Sequence, residues 1–230
     1  MRLKNTLATL VGLVGLAAAM PSYAVGTLWV WDGVTAGGAV LVATDQGGGD
    51  GSGLAGKVLN DGSFGSFNFT LIGTTTPLIG SAQSPRQDIN SYTLSSNSGG
   101  VIWVGFLATD YDVASNANFH MAIGGTTDGK VDAYLWHNAN NTSDVNSVVG
   151  WSLCANSLGQ FSGGAFSGST DCQFGPDASF SMLNWVRVEH TAGGQLTTLD
   201  YLVSVPEPGS LALLGLGLLG LGAVSRRRKA

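Results

Sequence analysis

The middle of the chain alternates between apolar and polar residues. Phe67, Phe69 and Leu71 are separated by polar residues, which is the period-two pattern of a strand with one buried and one hydrated face. The same alternation recurs at two later places: Val131, Ala133 and Leu135, and Leu199, Tyr201 and Val203. Runs of β-branched and aromatic residues predict further strands at residues 27–31, 39–42 and 101–104.

Dipeptides that favour turns separate these runs. Asp-Gly or Gly-Gly pairs begin at four places, Asp32, Asp61, Asp128 and Gly193, and we predict a turn at each of them. No window outside the two ends combines the 3.6-residue period with helix-forming residues. The sequence therefore predicts an all-β domain of about ten to twelve short strands, arranged as a single β-sandwich or jelly roll.

The first 24 residues have a different pattern. Arg2 and Lys4 precede an apolar run over residues 7–20, and the small residues Ser22 and Ala24 occupy the −3 and −1 positions of a signal-peptidase site. The apolar run is too short for an anchor that stays in the membrane. We predict that residues 1–24 are a signal peptide that is cleaved after Ala24.

A second apolar segment lies near the carboxyl end, over residues 211–224, and it contains four glycines. As a helix it would rise about 21 Å, which is short of the roughly 30 Å hydrocarbon core of a bilayer. Such a segment is better suited to transient insertion than to a permanent anchor, which is the alternative. By the positive-inside rule the four cations at 226–229 stay in the cytoplasm, so the domain before them lies outside.

Pro206, Glu207 and Pro208 stand directly before this segment, and a basic cluster follows it: Arg226, Arg227, Arg228 and Lys229. This order resembles the PEP-CTERM sorting signal, which is found on exported proteins of Gram-negative bacteria that make exopolysaccharide. The resemblance implies an exosortase as partner, cleavage near the tripeptide, transient insertion in the inner membrane, and a final place at the cell surface or in the extracellular matrix.

Parts of the domain are also similar to other PEP-CTERM proteins, notably residues 61–110 and the final hairpin over 186–200. We divide the chain into a signal peptide at 1–24, a β-sandwich domain at 25–204 and a sorting signal at 205–230. The apolar part of that sorting signal is predicted to be a helix.

Removing both ends changes the charge of the product. The precursor has a formal net charge of −5, whereas residues 25–205 contain 14 acidic and four basic residues, a net charge of −10. Nucleic acid and anionic membrane surfaces are therefore poor partners. The acidity favours solubility, and an attraction to cations such as Ca²⁺ is the sharper alternative.

The chain has two cysteines, Cys154 and Cys172, and both belong to the exported part. In an oxidising compartment such a pair normally forms a disulfide. Closing a loop of this length stabilises the folded state by about 3 kcal/mol in the chain-entropy model. We predict a structural disulfide rather than a metal or redox site.

Candidate chemistry is sparse. The domain has no G-x-S-x-G elbow, and no metal-binding spacing connects its histidines: His120, His137 and His190. Asp110 and Asp112, with Asn116 and Asn118 close behind, offer hard oxygen ligands of the kind that Ca²⁺ takes. The alternative is an Asx-rich turn that satisfies its own backbone. We predict no enzymatic activity and no cofactor other than this candidate calcium.

Six tryptophans are many for a domain of this length: Trp29, Trp31, Trp103, Trp136, Trp151 and Trp185. Trp29 and Trp31 share a strand face, so both pack in the core or both belong to a platform for sugar rings. Large aromatic residues are usually buried, which favours the core. The sequence thus predicts a non-enzymatic structural or adhesive component of the cell surface or matrix. The first alternative is a carbohydrate-binding module for exopolysaccharide, and the second is a matrix glycan hydrolase.

Overall fold

The computed structural model describes residues 24–34, 37–113, 117–147, 149–154, 158–175 and 177–205. These residues form eleven β-strands and no helix, so the predicted all-β class is confirmed. The strands are β1 (Gly26–Trp31), β2 (Val40–Thr44), β3 (Lys57–Phe64), β4 (Phe67–Thr74), β5 (Arg86–Ser96), β6 (Gly100–Val113), β7 (Ala117–Asn138), β8 (Trp151–Leu153), β9 (Leu158–Phe174), β10 (Asp177–His190) and β11 (Leu196–Ser204).

Two predicted segments fall outside this part of the chain. The signal peptide up to residue 23 and the sorting segment from residue 206 onward lie outside the described residues. Within the described ranges, no helix has the length and apolar character needed to cross a membrane.

The strands pair antiparallel in the order β2-β1-β6-β10-β7-β11-β5-β4-β3, and β8 and β9 pair with the other side of β7. Strand β7 joins the two halves of this path, because residues 130–138 pair with β10 and residues 120–127 pair with β11. The far ends of the path meet where β1 and β2 contact β3 and β4. The result is the predicted β-sandwich. Its first layer contains β2, β1, β6, β10 and the carboxyl half of β7, and its second layer contains the remaining length of β7 with β11, β5, β4 and β3.

The main core lies between the two layers. The predicted alternations all place their apolar members there, and these are buried: Phe67, Phe69, Leu71, Val131, Ala133, Leu135, Leu199, Tyr201 and Val203. On β6 the inward side chains of Ile102, Val104 and Phe106 are fully buried. Burying a Val, Leu or Phe side chain stabilises the folded state by about 1.5–3 kcal/mol. Burial of the apolar members of the period-two pattern is therefore a major source of stability for these strands.

Two of the four predicted turns are wrong, and both are Asp-Gly pairs inside strands. Asp61 pairs with Thr70 within the β3–β4 hairpin, and the turn itself lies at residues 65–66. Asp128 lies inside β7, which is one continuous strand of 22 residues. A side chain at Gly129 would collide with the backbone carbonyl of Glu189 on β10, so the glycine serves close strand approach rather than a turn.

The predicted disulfide is confirmed. Cys154, just after β8, pairs with Cys172 on β9, with their Cα atoms 5.8 Å apart and both side chains buried. Cys172 also pairs in register with Phe119 of β7. The disulfide therefore fastens the otherwise largely exposed strand β9 to the segment that follows β8.

Candidate functional site

All six tryptophans lie on the outer face of the first layer. They form a second apolar cluster with Leu107, Leu183 and Tyr134, separate from the core between the layers. We call this surface the tryptophan face: Trp29, Trp31, Trp103, Trp136, Trp151 and Trp185. Trp29 and Trp185 are each 7% exposed, and the other four are half-buried. The expected burial holds for Trp29 and Trp185, but in this second cluster, and none of the six packs in the core between the layers.

Strand register brings these residues together. Trp31 of β1 is the partner of Trp103 on β6, and Trp185 of β10 is the partner of Tyr134 on β7. The ring of Trp103 is central, with centroid distances of 5.8 Å to Trp31, 5.5 Å to Tyr134 and 6.1 Å to Trp185. The interplanar angles of these three pairs are 37°, 31° and 28°. The rings therefore form a gently curved surface.

A glycine of β6 determines how one of these rings lies. Gly105 is the register partner of Trp185, and a Cβ at Gly105 would overlap the six-membered ring of that indole. Trp185 therefore lies flat on the backbone of β6. A glycine inside a strand is a sign of such close approach. This is the signal in the sequence that could have revealed the outer aromatic surface.

Part of the tryptophan face forms a cleft of about 450 Å³. Its floor is aromatic and includes Trp31, Trp103 and Trp185, and its rim includes Ala39, Asn146 and Ser147, among other residues. The Asn146 amide bridges the two rim loops, because its Oδ1 accepts from the Ala39 N–H at 3.0 Å and its Nδ2 donates to the Ala39 carbonyl at 2.9 Å. These bonds fix the positions of the rim loops relative to each other.

Buried hydrogen bonds fix the base of the cluster. The Trp29 indole N–H donates to Thr27 Oγ1 at 2.9 Å, and that hydroxyl donates to the Leu107 carbonyl at 3.3 Å. Because buried polar groups are costly when unpaired, this chain of bonds favours one orientation of the Trp29 ring.

A strip of charged residues continues the same face of β10 and β7, and we call it the charged strip: Lys130, Asp132, Arg187 and Glu189. Arg187 bonds to Asp132 Oδ2 at 3.2 Å and to Glu189 Oε2 at 2.8 Å, and Lys130 Nζ is 3.8 Å from Glu189 Oε1. Partial burial disfavours the charge of Arg187, but the hydrogen bonds to Glu189 and Asp132 outweigh it and raise the pKa of Arg187. The hydrogen bond from Arg187 lowers the pKa of Glu189.

The predicted calcium ligands occupy a hydrogen-bonded corner. Asp110 has a positive φ of 65°, its Oδ1 accepts from Asn141 Nδ2 at 2.8 Å, and its Oδ2 accepts from Thr109 Oγ1 at 2.6 Å. The backbone N–H of Asp112 donates to the Ala82 carbonyl at 2.8 Å. The Asp110 backbone N–H also donates to Asn141 Oδ1 at 2.8 Å, so the bonds of this corner run mainly to a distant side chain and not to the local backbone. Within the described ranges, no group of three or more His, Cys, Asp or Glu side chains is arranged to hold a metal. Asn116 lies outside those ranges, and the calcium site stays a prediction.

The three histidines have separate environments. His120 Nδ1 is 2.7 Å from Asp171 Oδ1 at the surface, and buried His137 stacks on Phe174 at a centroid distance of 4.7 Å. His190 is buried too, and burial lowers its pKa, although Asp128 acts in the opposite direction.

The ring nitrogens of His190 bond to two hydroxyls. Nδ1 lies 2.9 Å from Ser96 Oγ, and Nε2 lies 2.9 Å from Thr197 Oγ1. With 2% of its surface exposed, His190 is closed to a substrate, so its contact with Ser96 is a structural one.

The residues predicted to be processed lie at the edges of the described part. Ala24 is its first residue, and its side chain is buried in the main core. Cleavage after Ala24 stays a prediction. The sorting residues fall outside the described ranges: Pro206, Glu207, Pro208, Arg226, Arg227 and Arg228.

Several solved structures are similar to this chain at low scores. One is TmCBM61 in complex with β-1,4-galactotriose, at 9% identity and a TM-score of 0.29, covering 61% of this chain and 90% of that one. Another is the K1 cleaved adhesin domain of Lys-gingipain from Porphyromonas gingivalis W83, at 8% identity and a TM-score of 0.33, covering 66% and 99%. A variant of CBM29-2, a family 29 carbohydrate-binding module, has 11% identity and a TM-score of 0.27, covering 67% and 85%.

At these scores the similarities say nothing about a ligand of this chain. No curated protein sequence matches it. The carboxyl end, however, matches a family model, the PEP-CTERM protein-sorting motif, over residues 204–229. The predicted sorting signal is confirmed, and the chain is an exported protein that carries the PEP-CTERM protein-sorting motif.

Proposed function

We propose that this protein is a non-catalytic glycan-binding component of the cell surface or extracellular matrix. The proposal is carried by one observation, which is that all six tryptophans lie on the outer face of the first layer, where five of them line the cleft, and none lies in the main core. In this reading the adhesive role predicted from the sequence and the carbohydrate-binding alternative describe the same activity.

The chemistry of the tryptophan face suits a sugar. An exposed apolar patch on a soluble protein usually serves an interaction, and indole faces pack well against the C–H groups on the face of a pyranose ring. Small-molecule sites are typically concave and mostly apolar, with a few polar groups that fix orientation. Asn146 and Ser147 provide such polar groups at the rim of the aromatic floor.

The cleft favours binding over hydrolysis. A glycosidase of the usual kind needs two carboxyl groups about 5–10 Å apart on either side of the scissile bond. Among the described residues that line the cleft there is neither Asp nor Glu. Two carboxylates of the neighbouring charged strip, Asp132 and Glu189, are bonded to Arg187. The hydrogen bond from Arg187 lowers the pKa of Glu189, which makes Glu189 a poor general acid.

The sorting motif supports delivery of this domain to the matrix. We propose that an exosortase processes the chain while residues 211–224 are transiently inserted in the inner membrane, and that the β-sandwich domain then acts outside the cell. A glycan-binding domain in that location would retain polysaccharide at the surface or connect polysaccharide chains.

The test is affinity gel electrophoresis of the exported protein in gels that contain one polysaccharide each. The panel comprises glucomannan, β-1,4-galactan, hydroxyethyl cellulose, alginate, polygalacturonate and the matrix polysaccharide of the producing bacterium. We expect retardation by at least one of them, weakened at least tenfold in Trp31→Ala and Trp103→Ala.

Phe166→Ala is the matched control, because it removes a half-buried ring from β9, far from the tryptophan face, and should leave retardation unchanged. The proposal is overturned if no polysaccharide of the panel retards the protein. It is also overturned if folded Trp31→Ala and Trp103→Ala variants are retarded like the unmodified protein.

A further inference from the structure

We infer that the bound glycan is a linear, uncharged chain that extends from the cleft onto the charged strip, and that this strip discriminates against acidic glycans. The inference rests on the proposed function and adds the chemical class of the ligand and its direction on the surface.

The first step is that the cleft and the strip share one continuous row of residues. Trp31 pairs with Trp103, Trp103 with Arg187, and Arg187 with Asp132. Each pair joins neighbouring strands, so the row crosses β1, β6, β10 and β7. At about 4.8 Å per strand spacing it spans about 14 Å. Such a length suits an oligosaccharide rather than a single sugar.

The second step is that a neighbouring residue connects the aromatic and the charged parts. The ring of Tyr134 lies 5.5 Å from Trp103, and Tyr134 is two residues from Asp132 on the same face of β7. Burial raises the pKa of the Tyr134 phenol, and the Asp132 carboxylate raises it further. Tyr134 therefore lies next to both the aromatic floor and the strip.

The positive and negative charges within the strip are balanced. It holds two cations and two anions, and each is paired: Arg187 with Asp132 and Glu189, and Lys130 with Glu189. A guanidinium has five N–H donors and a carboxylate about four acceptor positions, so the paired groups keep capacity for sugar hydroxyls. They offer no uncompensated cation to a sugar carboxylate.

The net charge of the domain acts beyond the strip itself. Residues 25–205 have a formal net charge of −10, and exposed charges interact over about 8 Å at physiological ionic strength. Because the strip is locally neutral, a polyanionic chain lying along the row gains no attraction there that offsets the net negative charge of the domain. Its approach is disfavoured, whereas a neutral chain meets no such barrier.

The experiment measures binding by quenching of tryptophan fluorescence with six probes: the neutral pairs cellobiose and cellohexaose, and mannobiose and mannohexaose, and the acidic pair digalacturonate and hexagalacturonate. We expect a neutral hexasaccharide to bind at least tenfold more tightly than its disaccharide and than hexagalacturonate. Asp132→Asn releases Arg187 from one anion, so it should weaken the neutral hexasaccharide severalfold, leave the disaccharide unchanged and strengthen hexagalacturonate.

Two further variants provide a second test of the strip and a matched control. Glu189→Gln should change the affinities for the neutral hexasaccharide and for hexagalacturonate in the same directions as Asp132→Asn does. It tests the inference even if the Asp132→Asn variant does not fold. Asp61→Asn is the matched control, because it makes the same charge change at an exposed position of β3 in the second layer, and it should alter no affinity for a neutral probe.

The outcomes separate this inference from the proposed function. If hexagalacturonate binds as tightly as the neutral hexasaccharides, or if both strip variants leave every affinity unchanged, the inference is overturned while glycan binding stands. If no polysaccharide of the gel panel retards the protein, the proposed function itself fails.

Discussion

Gly105 of β6 lies directly beneath the indole of Trp185 on β10. The two residues are register partners, and the ring occupies the space in which any side chain at position 105 would begin. Because Trp185 contacts Trp103, and Trp103 in turn contacts Trp31, the shape of the tryptophan face depends on the absence of a side chain at this one position.

Gly105→Ala is therefore expected to disturb both stability and binding. The added methyl group would lift the Trp185 ring from the sheet, and overpacking of this kind typically costs about 1–3 kcal/mol. We expect a lower urea midpoint together with at least a tenfold loss of glycan affinity.

The matched control for this variant is Gly124→Ala on β7, where an added Cβ would meet only the Phe166 carbonyl at 3.8 Å. Gly124→Ala should change neither the urea midpoint nor the glycan affinity appreciably. Equal effects of the two substitutions would show that the loss at Gly105 is a general property of glycines in strands.

The strands were largely predictable from the sequence, whereas the position of the tryptophans was not. Alternation identifies which residues share a face, as for Phe67, Phe69 and Leu71, but not which face is the inner one when both are apolar. On β6, Val104 faces the main core and Trp103 faces outward, yet their side chains are both hydrophobic. Only the pairing of β6 with β1 and β10 decides between the two faces.

The Asp-Gly turns illustrate a related limit. The pairs at Asp61 and Asp128 have the composition of turns, but the chain is extended at both because a long strand with its neighbours in place outweighs a local preference of two residues. The disulfide, by contrast, could be predicted since the exported part has only Cys154 and Cys172.

Replacing both cysteines by alanine should lower the free energy of unfolding by about 3 kcal/mol, because the unfolded chain regains the freedom of the closed loop. Urea unfolding of the exported protein, with and without dithiothreitol, measures this difference. We expect the reductant to lower the stability of the unmodified protein and to leave the double variant unchanged. An equal response of both proteins to dithiothreitol would contradict a stabilising disulfide.

Asn146→Ala should weaken glycan binding more than it weakens the fold. The substitution removes two hydrogen bonds to Ala39 that hold the rim loops together, each worth about 0.5–1.5 kcal/mol. We expect a severalfold lower affinity in the gel assay and a small decrease in the urea midpoint. Ser147→Ala, at the same rim, leaves the bridge in place and should have the smaller effect, and the reverse order would argue against a rim held by Asn146.

His190 makes stability depend on pH in a defined direction. Its pKa is lowered by burial, so the folded protein keeps the ring neutral at pH values where the unfolded chain, with a pKa of about 6.5, is already protonated. The contribution of neutral His190 to the free energy of unfolding is fully present above about pH 6.5. It is lost as the pH decreases from about 6.5 toward the lowered pKa. Urea midpoints at pH 8 and at pH 5.5 measure the loss.

His190→Gln should flatten this dependence while reducing stability at both pH values, because one of the two hydroxyl contacts is lost. The comparison is thus between slopes and not between absolute midpoints. If the variant loses as much stability between pH 8 and pH 5.5 as the unmodified protein does, another group is responsible for the slope.

Processing at the carboxyl end is the final prediction. The folded domain continues up to the motif, because the Val205 N–H donates to the Pro85 carbonyl at 2.9 Å and Ser84 Oγ donates to the Val205 carbonyl at 3.3 Å. Changing Pro206, Glu207 and Pro208 to alanine should leave the tail attached and the protein in the inner membrane. Intact mass distinguishes the two forms, since a processed protein ends near Pro206 and lacks the basic cluster at 226–229.

Ser84→Ala is the control, because it changes the adjacent loop and not the motif, and its product should be processed normally. A trimmed alanine variant outside the cell would contradict recognition of the tripeptide.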